Sequence, residues 1–182
     1  MELTQRRTME IRAGLLFGIG LGGFFDGIVL HQILQWHHML SDEGSYPVDT
    51  VAGLETNVLW DGLFHTLTYV AVVIAMWLTW KASQLPHAPW STRLLVGLLL
   101  MGWGTFNLIE GTINHQILGI HHVNETVSRA SWKWWDIAFL CWGAIMLVGG
   151  WVIARQGERE QDTALEALRH TESVASEAAS PR

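Results

Sequence analysis

Four long apolar stretches constrain the fold of this chain more than any other feature of its sequence. They cover about residues 11–36, 57–80, 94–118 and 134–154, and polar segments separate them. A helix needs about 20 apolar residues to cross the hydrocarbon core of a bilayer, and each stretch has about that length. The chain is also 49% hydrophobic and only 15% charged, which is unusual for a soluble domain. We therefore predict an all-α integral membrane protein whose main partner is the lipid bilayer.

The first and third stretches contain one sequence motif twice. Residues 18–38 read GIGLGGFFDGIVLHQILQWHH and residues 102–122 read GWGTFNLIEGTINHQILGIHH, so the two copies align without a gap. The corresponding polar residues are Asp26 and Glu110, His31 and His115, Gln32 and Gln116, His37 and His121, and His38 and His122. Successive helices joined by short loops pack as antiparallel neighbours. The repeat therefore predicts a four-helix bundle made of two repeated helical hairpins.

The basic residues predict the orientation of the chain in the membrane. They concentrate in the N-terminal head, between the second and third stretches, and after the fourth. Because such segments stay on the cytoplasmic side, both termini are expected there. We predict a four-helix transmembrane domain at 1–155 and a charged, disordered cytoplasmic tail at 156–182. The sequence has no basic stripe, so nucleic acid is not an expected partner.

Helical geometry brings three histidines of different stretches to a similar depth in the outward-facing half. They are His31, His65 and His115, as judged from a rise of about 1.5 Å per residue. Asp61 lies one turn from His65 on the same helix face, and Asp136 holds the corresponding position in the fourth stretch. Buried carboxylates without a nearby Lys or Arg need a proton or a cation. We therefore predict that these five residues bind a transition-metal ion.

The remaining polar residues of the repeat are expected to lie around this site. Asp26 and His31 are five positions apart, which separates them by about 140° around an α-helix. They could share one site only if a π-helical turn intervened. The residues expected to hydrogen-bond the ligands or relay protons are Asp26, Glu110, Gln32 and Gln116. The residues expected to form an outer site or an entry path, or simply to be interfacial polar groups, are His37, His38, His121 and His122.

Several cofactors and functions fit these residues. Imidazole together with carboxylate suits iron, zinc or copper, and the carboxylates favour iron or zinc over cuprous copper. A haem held by His31 and His115 is the alternative, because these residues correspond in the repeat. An enzyme with such a site would perform redox or metal-assisted chemistry. The other hypotheses are a metal-handling helper without turnover and a structural membrane protein whose polar residues only join helices.

Four segments of the sequence carry a resemblance to a known family. They are GGFFDGIVLHQILQWHH, NVLWDGLFHTLTYV, FNLIEGTINHQILGIHH and WWDIAFLCWGAIML. Over about residues 11–155 the chain resembles the bacterial family of predicted four-span membrane proteins catalogued as domain of unknown function 2243. The resemblance implies an integral protein of the bacterial inner membrane and supplies no activity. Some relatives look to be joined to a domain similar to copper-delivering cytochrome oxidase assembly factors, which implies metal or haem handling with a respiratory-chain assembly partner.

Overall fold

The chain is described by a computed structural model that covers residues 2–85 and 89–178. Within these residues it is all-helical and has no strand. Its elements in chain order are α1 (Glu2–Phe25), the π-helical segment π1 (Asp26–Ile33), α2 (Val51–Ser83), α3 (Thr92–Glu110), the π-helical segment π2 (Gly111–Leu118) and α4 (Arg129–Ala178). Four helical segments are long and apolar enough to cross a membrane: Leu3–Ile33, Val51–Ser83, Thr92–Leu118 and Arg129–Thr171. The predicted all-helical membrane fold is confirmed.

Helices α1 and α3 form the central pair, with α2 packed against α1 and α4 packed against α3. The central pair approaches closely at two glycines that correspond in the repeat. A Cβ atom on Gly18 would overlap the carbonyl oxygen of Leu99, and one on Gly102 would overlap that of Leu15. Small residues allow two helix backbones to approach this closely, which strengthens their van der Waals packing. Such packing is important inside a membrane, because the hydrophobic effect does not drive helices together there.

The N-terminal end of α1 and the C-terminal end of α4 extend beyond the predicted membrane spans. Helix α1 already begins at Glu2, since its charged head is helical and contains the buried ion pair Arg6–Glu10 at 2.8 Å. Helix α4 continues to Ala178, where the sequence had suggested a disordered tail from residue 156. This part of α4 is rich in the helix formers Ala, Leu, Glu and Arg, and its Gln161 side chain donates to the Pro89 carbonyl at 3.0 Å. Residues 179–182 of the predicted tail, like 1 and 86–88 of the predicted membrane domain, lie outside the described residues.

The π-helical segments occur at corresponding places in the two copies of the repeat. In a π-helix the hydrogen bonds join residues five apart, so side chains with that spacing lie above one another. This stacks Asp26 on His31, with 3.2 Å between Oδ2 and Nε2, and Glu110 on His115, with 3.1 Å between Oε1 and Nε2. Just beyond each segment a residue adopts the left-handed conformation, Gln35 with φ of 50° in the first copy and its counterpart Gly119 with φ of 58° in the second. Such a residue turns the chain sharply after the helix.

Candidate metal centre

Four buried histidines lie together where the central helix pair ends. His31 and His115 belong to π1 and π2, whereas His37 and His121 belong to the loops that follow them. Their exposed fractions are 0%, 3%, 2% and 0%, respectively. The ring centroids are 4.3 Å apart for His31 and His37, 4.9 Å for His115 and His121, and 4.6 Å for His37 and His121. The four imidazoles therefore form one cluster, which we call the histidine cluster.

The two loop histidines exchange hydrogen bonds between the copies of the repeat. His37 Nδ1 lies 2.9 Å from the Val123 carbonyl oxygen, and His121 Nδ1 lies 3.0 Å from that of Met39. A carbonyl oxygen only accepts, so each Nδ1 must carry the proton and donate it. The Nε2 atom of a neutral imidazole then presents a lone pair. These contacts orient both rings with Nε2 as the available ligand atom.

Asp61 holds the first helix histidine in the same way. Its Oδ1 accepts from His31 Nδ1 at 2.8 Å and from the Met39 backbone N–H at 2.9 Å. Its Oδ2 accepts from His38 Nδ1 at 2.7 Å. A carboxylate on the far nitrogen of an imidazole fixes the tautomer and the ring orientation, as in protein metal sites.

Asp136 makes the corresponding contacts in the second copy. It accepts from His122 Nδ1 at 2.6 Å and from the Val123 backbone N–H at 3.0 Å. The Gln116 side chain donates to it at 3.3 Å. His115 Nδ1 lies 3.5 Å from Asp136 Oδ1, which is ion-pair distance without hydrogen-bond geometry. Asp61 and Asp136 therefore contact the outer nitrogens of histidines rather than the centre of the cluster.

Asp26 and Glu110 occupy the other side of the histidines. Besides its contact with His115, Glu110 Oε1 lies 2.9 Å from His121 Nε2. Several polar atoms here are buried without a hydrogen-bond partner, namely Nε2 of His31 and His37, both ring nitrogens of His115, and Oε2 of Glu110. Outside the cluster the same holds for Nε2 of His65. Leaving such atoms unpaired in an apolar interior costs free energy, which a bound cation would remove.

Two sets of these side chains have the spacing that one metal ion requires. The first set is His31, His37 and His121, and the second is Glu110, His115 and His121. Within each set one ligand atom per residue lies within 4.8 Å of the others. All members are buried, which distinguishes the sets from the clusters of acidic groups common on protein surfaces.

The pKa values of the two loop histidines shift in opposite directions. Burial, together with the neighbouring His121 and His31, lowers the pKa of His37 well below its usual value, which favours the neutral ring. Burial also acts to lower the pKa of His121, but the Glu110 carboxylate on its Nε2 outweighs burial and raises that pKa. A positive charge, from a proton or a metal ion, is therefore favoured between His121 and Glu110.

The structure leaves His65 outside both ligand sets among the residues it describes. Its ring lies against Phe24 and Phe64, with centroids 6.3 and 5.9 Å away, and a Cβ on Gly27 would overlap its Nε2. In the second copy Leu140 packs in the same way against Gly111. His65 thus occupies a packing position that an apolar side chain fills in the other half.

Two predicted outer residues and the two glutamines lie at the edge of the cluster. The side chains of His38 and His122 are 15% and 21% exposed and contact Asp61 and Asp136. Gln116 also contacts Asp136, and Gln32 lines a cavity of about 610 Å³ whose wall includes His31 and His37. This cavity connects the histidine cluster with the loop surface of the protein.

The sequence signal for His37 and His121 was the exact repetition of both His-His pairs. Helix periodicity does not predict which way these two side chains face, because they come after the helices end. The contact of Asp26 with His31 depended on a π-helical turn, which periodicity cannot predict.

Comparison with known proteins places the chain in one family. The family model described as "Predicted membrane protein (DUF2243)" matches residues 13–157, which include all the residues of the histidine cluster. No match was found among curated proteins or among solved structures.

Proposed function

This chain belongs to the DUF2243 family of predicted membrane proteins, and we propose that it is a membrane metalloprotein which binds transition-metal ions in the histidine cluster. The observation that carries the proposal is the orientation of the four imidazoles. Each Nδ1 atom faces a carboxylate or a carbonyl oxygen, while the Nε2 atoms lie near Asp26, Glu110 or one another. Ligating histidines in proteins are held in this manner by their second nitrogen.

The ligands we propose follow the two copies of the repeat. One ion would be bound by Glu110, His115 and His121, and the other by His31 and His37 with Asp26, which lies 3.2 Å from His31 Nε2, in place of the His121 that the first ion uses. The close approach of His37 and His121, with nearly parallel rings 4.6 Å apart, would place the two ions next to each other. Two carboxylates among four imidazoles would offset the charge of two divalent ions in part, which lowers the cost of burying them. Asp61 and Asp136 would orient the ligands without binding the metal.

The donor atoms support iron, zinc or copper as the metal. All are imidazole nitrogens or carboxylate oxygens, and this mixture favours iron or zinc over cuprous copper. A haem between His31 and His115 is less favoured by the packing. The ring of His121 lies 5.7 Å from that of His31 and 4.9 Å from that of His115, so it occupies the space that a porphyrin would need.

The membrane setting is part of the proposal. The cluster lies near the loops that follow π1 and π2, at the ends of the apolar helices. With basic residues concentrated at the opposite ends, these loops would face away from the cytoplasm and both termini would lie in it. The bacterial inner membrane is the location that fits this arrangement.

Metal analysis of the purified protein tests the proposal. Protein extracted in mild detergent should contain close to two transition-metal ions per chain by elemental analysis, without the Soret absorption of haem. Replacing His31 and His115 together by Ala should abolish most of this metal, whereas His170→Ala, in the exposed tail helix, should retain it. Wild-type protein without metal after expression in metal-supplemented medium, or a double variant with unchanged metal content, would show that the proposal is wrong.

A second candidate function, delivery of the metal to another protein without turnover, is favoured by the cavity of about 610 Å³ next to the cluster. Its wall combines His37 with His38 and with the loop residue Glu125. Delivery requires rapid exchange, so a hydrophilic chelator should remove the ions within minutes in the delivery case. Ions retained over hours would contradict delivery and support a resident cofactor.

A further inference from the structure

An apolar groove opens on the side of the helix bundle and reaches Asp26, which lies against His31. Its volume is about 320 Å³, and it is formed by the end of α1, by π1, and by the facing parts of α3 and α4. The largest side chains of its wall are aromatic: Phe25, Trp36, Trp103, Trp135, Phe139 and Trp142. Phe25 and Trp142 are 46% and 56% exposed, and both belong to membrane-spanning segments. The groove therefore opens toward the hydrocarbon of the bilayer and not toward water.

The inner end of the groove is polar although its walls are apolar. Asp26 and Asn107 line it there, with exposed fractions of 3% and 2%. Asp26 is the carboxylate that lies 3.2 Å from His31 Nε2. A molecule in the groove would thus have apolar surroundings along its length and a proposed metal ligand at its inner end.

Two cavities thus lie at different sides of the site. The larger one is lined by His31 and His37 together with Gln32, Gln35 and Glu125, whereas the groove is lined by Asp26 and by no histidine. Trp36 lines both cavities, and its ring contacts that of Trp135 at 5.1 Å between centroids. This tryptophan therefore lies at the border between the two cavities.

The second copy of the repeat has a corresponding but smaller cavity. It measures about 230 Å³ and reaches Glu110, the counterpart of Asp26. Ile19 takes the place of Trp103 in its wall, and Phe106 fills space that corresponds to Gly22 in the first copy. The groove at Asp26 therefore offers the larger binding volume of the two.

We propose that the groove at Asp26 binds one lipid-phase molecule with a single apolar chain and a polar head, which lies with its head at Asp26. The volume falls at the lower end of the range of small-molecule pockets. A helix of a second protein is about 10–12 Å across with its side chains, so a single turn of about 5.4 Å already occupies more than this volume. The apolar walls suit the chain of such a molecule, and the buried carboxylate suits a head that donates a hydrogen bond or binds a metal ion. The inference deepens the proposed function, since it names the substrate class of the same centre.

Photoaffinity labelling tests both the site and the orientation. The protein is reconstituted in phosphatidylcholine nanodiscs with one of two long-chain alcohols, which carry a diazirine either next to the hydroxyl or at the chain end. After photolysis, peptide mass spectrometry locates the label. The probe labelled near its head should mark the buried Leu30, and the probe labelled at its chain end should mark the exposed rim at Leu34 and Trp142. The reverse distribution would overturn the orientation.

Two matched substitutions on α4 distinguish binding in the groove from nonspecific labelling of the lipid-facing surface. Ala138 lines the groove, so Ala138→Phe should reduce the labelling of Leu30 roughly tenfold by filling the space. Ala144 is equally exposed on the same helix but lies outside the groove, so Ala144→Phe should leave labelling unchanged. Labelling that is uniform over the lipid-facing helices, or unaffected by Ala138→Phe, would overturn the inference. A cross-linked dimer in place of groove labelling would do the same, because the occupant would then be a second copy.

Metal content is measured on the same samples, so the two proposals fail separately. Neither alanine contributes a ligand, and both variants should keep the metal of the wild type. Selective groove labelling in a protein without metal would support the binding site and contradict the metalloprotein proposal. Metal without selective labelling would contradict only the binding site.

Discussion

Replacing Asp61 by Asn tests how the structure holds the first metal set. The carboxylate accepts three hydrogen bonds, from His31 Nδ1 at 2.8 Å, His38 Nδ1 at 2.7 Å and the Met39 N–H at 2.9 Å. An amide keeps one accepting oxygen, but its NH2 group would face a second donor. The substitution thus removes the charge behind His31, and whichever way the amide is turned either His31 Nδ1 or His38 Nδ1 faces an NH2 group instead of an acceptor, while the size of the side chain is unchanged.

The size of the effect follows from these contacts. A hydrogen bond to a charged group contributes about 1.5–3 kcal/mol, against about 0.5–1.5 kcal/mol for a neutral one. Loss of an outer hydrogen-bond partner typically lowers metal affinity about 10–100-fold, or roughly 1.4–2.8 kcal/mol. Asp61→Asn should therefore lower the affinity for one of the two ions by this factor. The affinity for the ion at Glu110, His115 and His121 should stay close to that of the wild type.

The assay is a competition titration of the detergent-solubilised protein with zinc and a chromophoric chelator. Asp49→Asn is the matched control, since it makes the same chemical change in an exposed loop and should have no effect. Circular dichroism and gel filtration verify that the variants are folded. A folded Asp61→Asn protein with zinc affinity within about twofold of wild type would refute the role given to this carboxylate. An equal loss of affinity for both ions would refute the assignment of Asp61 to a single ligand set.

Three further outcomes are expected. His37→Ala should remove metal from the purified protein, whereas His65→Ala should retain it and lower only the melting temperature; the reverse result would support the set predicted from sequence. Gly102→Ala should lower the free energy of unfolding by about 1–3 kcal/mol, because the added Cβ meets the backbone of α1. Gly149→Ala should leave it unchanged, since open space surrounds that position, and denaturant titration in detergent measures both variants. Stripping the metal with a chelator should lower the melting temperature, since free metal at 100 times its Kd stabilises by about 2.7 kcal/mol. An unchanged melting temperature in protein shown to have lost its metal would contradict a structural contribution of the ions.

The fold could be predicted because its main signals are local. Four apolar stretches of membrane-spanning length correspond directly to four helices, and the loops fall where the polar segments lie. The helix ends were less predictable. The head around Arg6 and Glu10 is charged, but its ion pair has the four-residue spacing of a helix. Helix α4 continues to Ala178, and its Gln161 contacts Pro89 ahead of α3. This contact joins distant parts of the chain, so local sequence does not predict it.

The candidate site was predictable only in part. The repeat drew attention to the right polar residues, and depth along the helices brought His31 and His115 together. Regular α-helical geometry, however, separates Asp26 from His31, whereas the π-helical segment places them 3.2 Å apart. Helical geometry also does not predict that the loops after π1 and π2 bring His37 and His121 back to His31 and His115, through contacts with Val123 and Met39. His65 looked equivalent by depth, but depth does not determine which way a side chain faces.

The reciprocal bonds from His37 to Val123 and from His121 to Met39 make the two halves of the molecule interdependent. Each copy of the repeat relies on a backbone carbonyl of the other to orient one of its own histidines. Either half expressed alone would lack the acceptor for its loop histidine, so the two helical hairpins are expected to form the site only together.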